Sequence, residues 1–133
     1  MHKGFLKTAT LMGALSVALG AFAAHSLKES VSDYAVSIFE TGVSYQFYHV
    51  FALLASGILY REFQNKFMIW SGRLFITGII LFSGSLYMLT FIKAAVKPGY
   101  DWIGAITPFG GLCFIAGWIC LFLGLFKKRN FNR

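Results

Sequence analysis

The chain has 133 residues, of which 57% are hydrophobic and 13% are charged, and its mean hydropathy is +0.66. This length accommodates a single domain, and the hydrophobic share is far above that of a soluble globular protein. Lys and Arg outnumber Asp and Glu by 12 to 5, which gives a formal net charge of +7. The composition excludes an ordinary soluble domain and predicts an integral membrane protein.

Four long segments lack Asp, Glu, Lys and Arg. They cover residues 8–27, 41–60, 74–92 and 102–126. A helix of about 20 residues crosses the ~30 Å hydrocarbon core of a bilayer and satisfies its own backbone groups there. A soluble helical bundle would need a polar stripe on each helix, and none of these segments has one.

The sequence therefore predicts an all-α fold, an antiparallel bundle of four membrane-spanning helices that forms one domain over residues 1–133. The predicted spans are residues 6–26, 41–60, 74–92 and 102–126. Nine Lys and Arg residues lie at the two termini and in the second loop, against three in the other loops. Because short basic loops stay in the cytoplasm, we expect both termini on the cytoplasmic side. This positive charge is typical of membrane topology and does not indicate nucleic-acid binding.

The first span also has a second interpretation, as a cleaved signal peptide. Lys3 and Lys7 precede an apolar stretch that ends in Ala21-Phe22-Ala23, which resembles a small-residue cleavage site. Cleavage there would leave three spans. Because the charge-free stretch is long for a signal core, we expect the first helix to be retained.

Residues 28–40 connect the first two spans and carry apolar side chains at helical spacing among polar ones. This pattern predicts a short helix on the outer membrane surface, with Ser30 or Ser32 as its N-cap. An ordinary polar connection is the alternative. In the fourth span, Pro108 removes one backbone hydrogen bond and frees the carbonyl of Gly104, which predicts a kink.

Small residues recur at intervals of three and four within the spans, a spacing that indicates close helix packing. The predicted packing residues are Gly13, Gly20, Gly110, Cys113, Gly117, Cys120 and Gly124. The two cysteines lie about 10 Å apart along one helix face, too far for a disulfide. We therefore interpret them as small packing side chains rather than as metal or redox groups.

The polar side chains of the spans gather in the outer half of the predicted bundle, and the inner halves are mostly apolar. We predict that they line a small polar pocket, formed by His25, Tyr45, Gln46, His49, Ser83, Ser85, Tyr87 and Thr107. An ionisable group in a membrane is a functional hypothesis by default, because burying it is costly. The structural alternative is that His49 pairs with the Tyr45 hydroxyl one turn away.

Reactive side chains give little support for catalysis. His25 and His49 differ in depth, no further ligand completes a metal or haem shell, and the spans hold no nucleophile–base or carboxylate pair. We expect no enzymatic activity, cofactor or metal site. The sequence favours a structural or accessory membrane component that contacts the lipid bilayer and either a membrane-protein partner or a second copy. The alternative is binding or transport of a small molecule, a proton, a metal or haem in the outer pocket.

Four sequence blocks carry a resemblance to a known family. They are GAFAAH at 20–25, TGVSYQFYH at 41–49, LFSGSLY at 81–87 and ITPFGG at 106–111, the last continuing to Ala116-Gly117-Trp118. These blocks resemble the uncharacterised small membrane protein family that includes bacterial YgdD and eukaryotic transmembrane protein 256. Ala23 departs from the glycine usual in that family. The resemblance implies a multi-spanning protein, in bacteria at the cytoplasmic (inner) membrane, and it carries over no activity, substrate or cofactor.

Overall fold

A computed structural model of the chain describes residues 1–94 and 101–127. In this part of the chain the regular structure is entirely helical, and four helices are long and apolar enough to cross a membrane. They are α1 (Lys3–Ser30), α2 (Asp33–Leu59), α3 (Lys66–Ile92, with helical backbone to Ala94) and α4 (Thr107–Leu125). The prediction of an all-α membrane protein with four spans is confirmed.

Contacts between neighbouring helices fix their directions. Gly20 lies against Val43 and Gly13 against Val50, so α1 and α2 run in opposite directions. Between α2 and α3, and between α3 and α4, contacting residues likewise rise in number along one helix and fall along the other. The bundle is therefore antiparallel, with each helix packed on the next one along the chain.

Glycines permit close contacts between α3 and α4. Three buried glycines of α4 lie against α3, with Gly110 at the backbone of Phe82, Gly117 at the Phe75 ring and Gly124 at Met68. Cys113 and Cys120 are only half-buried beside this seam. Small residues allow such close approach between membrane helices, where van der Waals packing drives association.

The prediction of a separate surface helix between the first two spans is wrong. Residues Lys28–Ser30 continue α1, and Asp33 already begins α2. Ser32 is an N-cap, as one of the two predictions had it, but it caps α2 itself: its hydroxyl accepts a hydrogen bond from the backbone N–H of Ala35 at 3.2 Å. Ala35, Val36 and Phe39 of this segment belong to the buried face of α2.

The prediction of a helix kink at Pro108 is also wrong. The helix α4 begins at Thr107, so Pro108 lies in its first turn, where the missing N–H breaks no intrahelical hydrogen bond. A short 3₁₀ helix (Asp101–Ile103) and a turn precede it. The helical part of the fourth span is consequently shorter than predicted from charge alone.

Candidate functional site

The polar residues of the spans form two clusters rather than one pocket, and α2 contributes to both. Gln46 and His49 are buried on the same side of α2, at 3% and 6% exposure. Gln46 faces α1 and α3, whereas His49 faces α3 and α4. We call these groups the Gln46 cluster and the His49 cluster.

The Gln46 cluster (Gln46, Tyr87, Ser83 and the carbonyls of Met12 and Gly42) joins three helices. The Gln46 amide donates a hydrogen bond to the Met12 carbonyl of α1 at 3.0 Å, and its carbonyl oxygen accepts one from the Tyr87 hydroxyl of α3 at 2.6 Å. The Ser83 hydroxyl donates to the Gly42 carbonyl at 2.7 Å. Each interhelical hydrogen bond of this kind contributes about 0.6 kcal/mol in a membrane.

A π-helical segment of α3, Ile79–Ser83, ends at the serine of this cluster. A π turn inserts one extra residue and rotates the side chains that follow it. Just beyond it, the Ser85 hydroxyl lies 2.6 Å from the Thr107 hydroxyl and links α3 to the start of α4. Ser83, Ser85 and Thr107 thus lie in helix contacts.

His49, Tyr45, Phe114 and Trp118 form the His49 cluster. His49 Nδ1 lies 2.7 Å from the Tyr45 carbonyl, which can only accept, so Nδ1 carries the proton. The Trp118 indole donates to His49 Nε2 at 3.1 Å. The geometry therefore selects a neutral imidazole with both nitrogens bonded, and the partner from Tyr45 is its backbone carbonyl, not the hydroxyl.

Aromatic contacts enclose the imidazole. Its ring stacks on the Phe114 ring, with ring centroids 3.5 Å apart and an angle of 9° between the planes. The centroid of the Phe75 ring lies 5.8 Å from that of the imidazole. Beside it lies a cavity of about 440 Å³. The lining consists of Tyr45, His49, Phe82, Gly111, Phe114, Ile115 and Trp118. These walls are mainly aromatic and suit an apolar occupant, since the nitrogens of His49 are already bonded.

His25 is not part of either cluster. It is exposed near the C-terminal end of α1, in a second π-helical segment, Ala23–Leu27. Within residues 1–94 and 101–127, no group of three or more His, Cys, Asp and Glu side chains could hold a metal ion. His25 and His49 therefore do not form a common site in the structure.

Sequence reasoning missed polar contacts in the half of the bundle that holds the start of α3 and the end of α4. The buried hydroxyls of Ser71 and Ser56 are hydrogen-bonded at 3.0 Å across α3 and α2. Asn65 caps α3 and also donates to the Gly124 and Lys127 carbonyls, each at 2.9 Å. Asn65 directly before a helical segment is an N-cap signal, but its bonds to α4 leave no trace in the sequence.

Four apolar helices joined by small-residue seams and interhelical hydrogen bonds define a multi-spanning integral membrane protein. The chain belongs to the family described as "Protein of unknown function (DUF423)", whose model matches residues 19–111. Its curated relatives carry the name UPF0382 membrane protein.

Three relatives illustrate the similarity. The chain is 42% identical over 130 residues to a UPF0382 membrane protein of Haemophilus influenzae, covering 98% of this chain and 99% of the relative. It is 40% identical over 125 residues to SAB0533 of Staphylococcus aureus, with coverage of 94% and 97%. It is 35% identical over 126 residues to YwdK of Bacillus subtilis, with coverage of 94% and 98%. No solved structure matches the chain.

Proposed function

We propose that the protein is a non-enzymatic structural or accessory component of the membrane that associates with a partner helix through the outward face of α1. The observation that carries this proposal is a row of exposed small residues on that face, Ala14, Ala18 and Ala21. Their spacing of four and three places them on one side of the helix. In a bilayer such a row permits close approach by another helix.

The outward face of α4 provides a contrast within the same molecule. It presents large side chains, namely Phe109, Leu112, Ile115, Ile119 and Phe122. Large apolar side chains of this kind suit contact with lipid tails. Five glycines of α1 and α4 already contact neighbouring helices of the bundle, namely Gly13, Gly20, Gly110, Gly117 and Gly124. The alanine row on α1 instead faces outwards and is open to an external partner.

The proposal predicts that Ala14→Leu/Ala18→Leu separates the protein from its partner. Added bulk blocks close helix approach, so we expect at least a ten-fold loss of the associated fraction. The measurement is native mass spectrometry or multi-angle light scattering of protein extracted in a mild detergent, which detects a second copy or a stoichiometric partner. Thr77→Leu, which adds bulk to an exposed position of α3, is the matched control and should retain the association. Recovery of the wild-type chain as a lone monomer would contradict the proposal.

Ligand binding or transport through the outer half receives less support. The cavity beside His49 could hold an apolar molecule, but both His49 nitrogens are bonded within the bundle. The Gln46 amide likewise bonds both α1 and α3. These pairings favour polar side chains that hold helices together over side chains that receive a substrate.

We further infer that the protein lies in the cytoplasmic membrane with both termini in the cytoplasm. Support comes from the nine-to-three distribution of Lys and Arg and from the bacterial origin of the membrane-protein relatives. A fluorescent protein that matures only in the cytoplasm should fluoresce when fused to either terminus. Alkaline phosphatase, active only outside, should be active when inserted after Ser30 and inactive when inserted after Gln64. The opposite pattern of phosphatase activity would contradict this orientation.

A further inference from the structure

We propose that the basic end of the bundle binds the headgroup of an anionic phospholipid. The site comprises Lys66, Trp70 and Arg73 at the start of α3 together with Lys127, which follows α4. It is separate from the α1 face and goes beyond the proposed association with a partner.

The α3 residues of this site share one face. Lys66, Trp70 and Arg73 are spaced by four and three positions and are all exposed, with Trp70 at 52%. The opposite face buries Met68 and Phe75 in the bundle. The first two turns of α3 therefore present two cations and a tryptophan away from the protein core.

The depth of this face matches lipid headgroups. The charge-free stretch of α3 begins directly after Arg73, so the exposed face lies where the hydrocarbon core ends. Helical side chains lean towards the N-terminus, which carries Arg73 outwards towards Trp70, and its guanidinium lies 5.5 Å from the indole ring. Tryptophan is enriched at this level because its ring is amphipathic.

Asn65 fixes the position of the remaining cation. By donating to the Lys127 and Gly124 carbonyls, it ties the end of α4 to the start of α3. The ammonium groups of Lys66 and Lys127 lie 5.6 Å and 5.3 Å from the centre of the same Phe67 ring. Cations contributed from distant parts of the sequence are thus brought together at one aromatic side chain.

The charge of the two bundle ends favours an anionic occupant. Among the described residues, the end with this site carries six Lys and Arg side chains and one carboxylate, that of Glu62. By sequence, the opposite end carries three Lys residues against four carboxylates, namely Glu29, Asp33, Glu40 and Asp101. A phosphodiester at this end would offset the repulsion between the ammonium groups of Lys66 and Lys127, which lie at the same ring, and would gain about five-fold in binding for each cation it meets.

The test compares phosphatidylglycerol with phosphatidylcholine for the full chain in nanodiscs that contain both lipids. Native mass spectrometry should find phosphatidylglycerol retained preferentially by the wild-type protein. Lys66→Gln/Arg73→Gln should lower this preference about 25-fold, and Lys127→Gln should lower it about five-fold. The control Lys3→Gln/Lys7→Gln removes two cations of the same end from α1 and should change the preference less than two-fold. Circular dichroism in phosphatidylcholine verifies that every variant is folded.

Two results would overturn the proposal. An equal loss in the Lys3→Gln/Lys7→Gln control would assign the preference to diffuse charge rather than to a site. Soluble glycerol phosphate that displaces phosphatidylglycerol at millimolar concentration would assign the site to free phosphate compounds rather than to a lipid.

Discussion

Gly110→Ala is expected to destabilise the bundle by about 2 kcal/mol. A Cβ at residue 110 would overlap the backbone nitrogen and Cα of Phe82, and a backbone cannot move aside as a flexible side chain can. The intrinsic preference of Ala over Gly in a helix, about 1 kcal/mol, offsets only part of this clash. The seam between α3 and α4 would have to open where the two backbones approach each other.

The next residue supplies the control for this prediction. At Gly111 the nearest atom to an added Cβ is Cδ2 of Phe82 at 4.0 Å, so Gly111→Ala should leave stability unchanged or raise it slightly. Unfolding of both variants in mixed micelles, by titration with sodium dodecyl sulfate, gives the free energy of unfolding. Equal stability of the two variants would show that the close approach at Gly110 does not constrain the fold.

His49→Ala is expected to lower the free energy of unfolding by about 3 kcal/mol. The substitution removes the ring that stacks on Phe114 and leaves the indole N–H of Trp118 without its acceptor. It also leaves a cavity at the junction of α2 and α4. The same titration measures the loss, and Tyr48→Ala, at an exposed position of α2, should cost much less.

A double-mutant cycle separates the hydrogen bond from the packing. His49→Phe keeps an aromatic ring against Phe114 but removes the acceptor, and Trp118→Phe removes the donor. The double variant should lose about 1 kcal/mol less unfolding free energy than the two single variants lose in sum. Strict additivity would mean that the bond between Trp118 and His49 contributes nothing to stability.

The lengths of the segments without charged residues were sufficient to predict the four spans, because a charged side chain is costly at any position of a helix within the hydrocarbon core. It was insufficient for the helix ends. Ser32 and Asn65 start helices outside the apolar stretches, since capping depends on local hydrogen bonds rather than on hydropathy. The Pro108 prediction failed for the same reason, because the effect of a proline depends on where its helix begins.

The candidate site was predictable in composition but not in pairing. The sequence indicated that Gln46, His49 and Tyr87 share a polar layer. It could not indicate that Gln46 bonds the Met12 carbonyl, because every residue has a carbonyl, nor that Trp118 is the donor to His49. The π segment of α3 adds to the difficulty, since it rotates the later side chains away from the positions that regular helical spacing assigns.

The bonds of Asn65 also imply an order of events during synthesis. Its side-chain oxygen accepts from residues two and three positions later, so the cap of α3 can form as soon as that helix emerges. Its amide must wait for carbonyls 59 and 62 positions further along the chain. The bonds between Asn65 and these carbonyls can therefore form only after α4 has packed against α3.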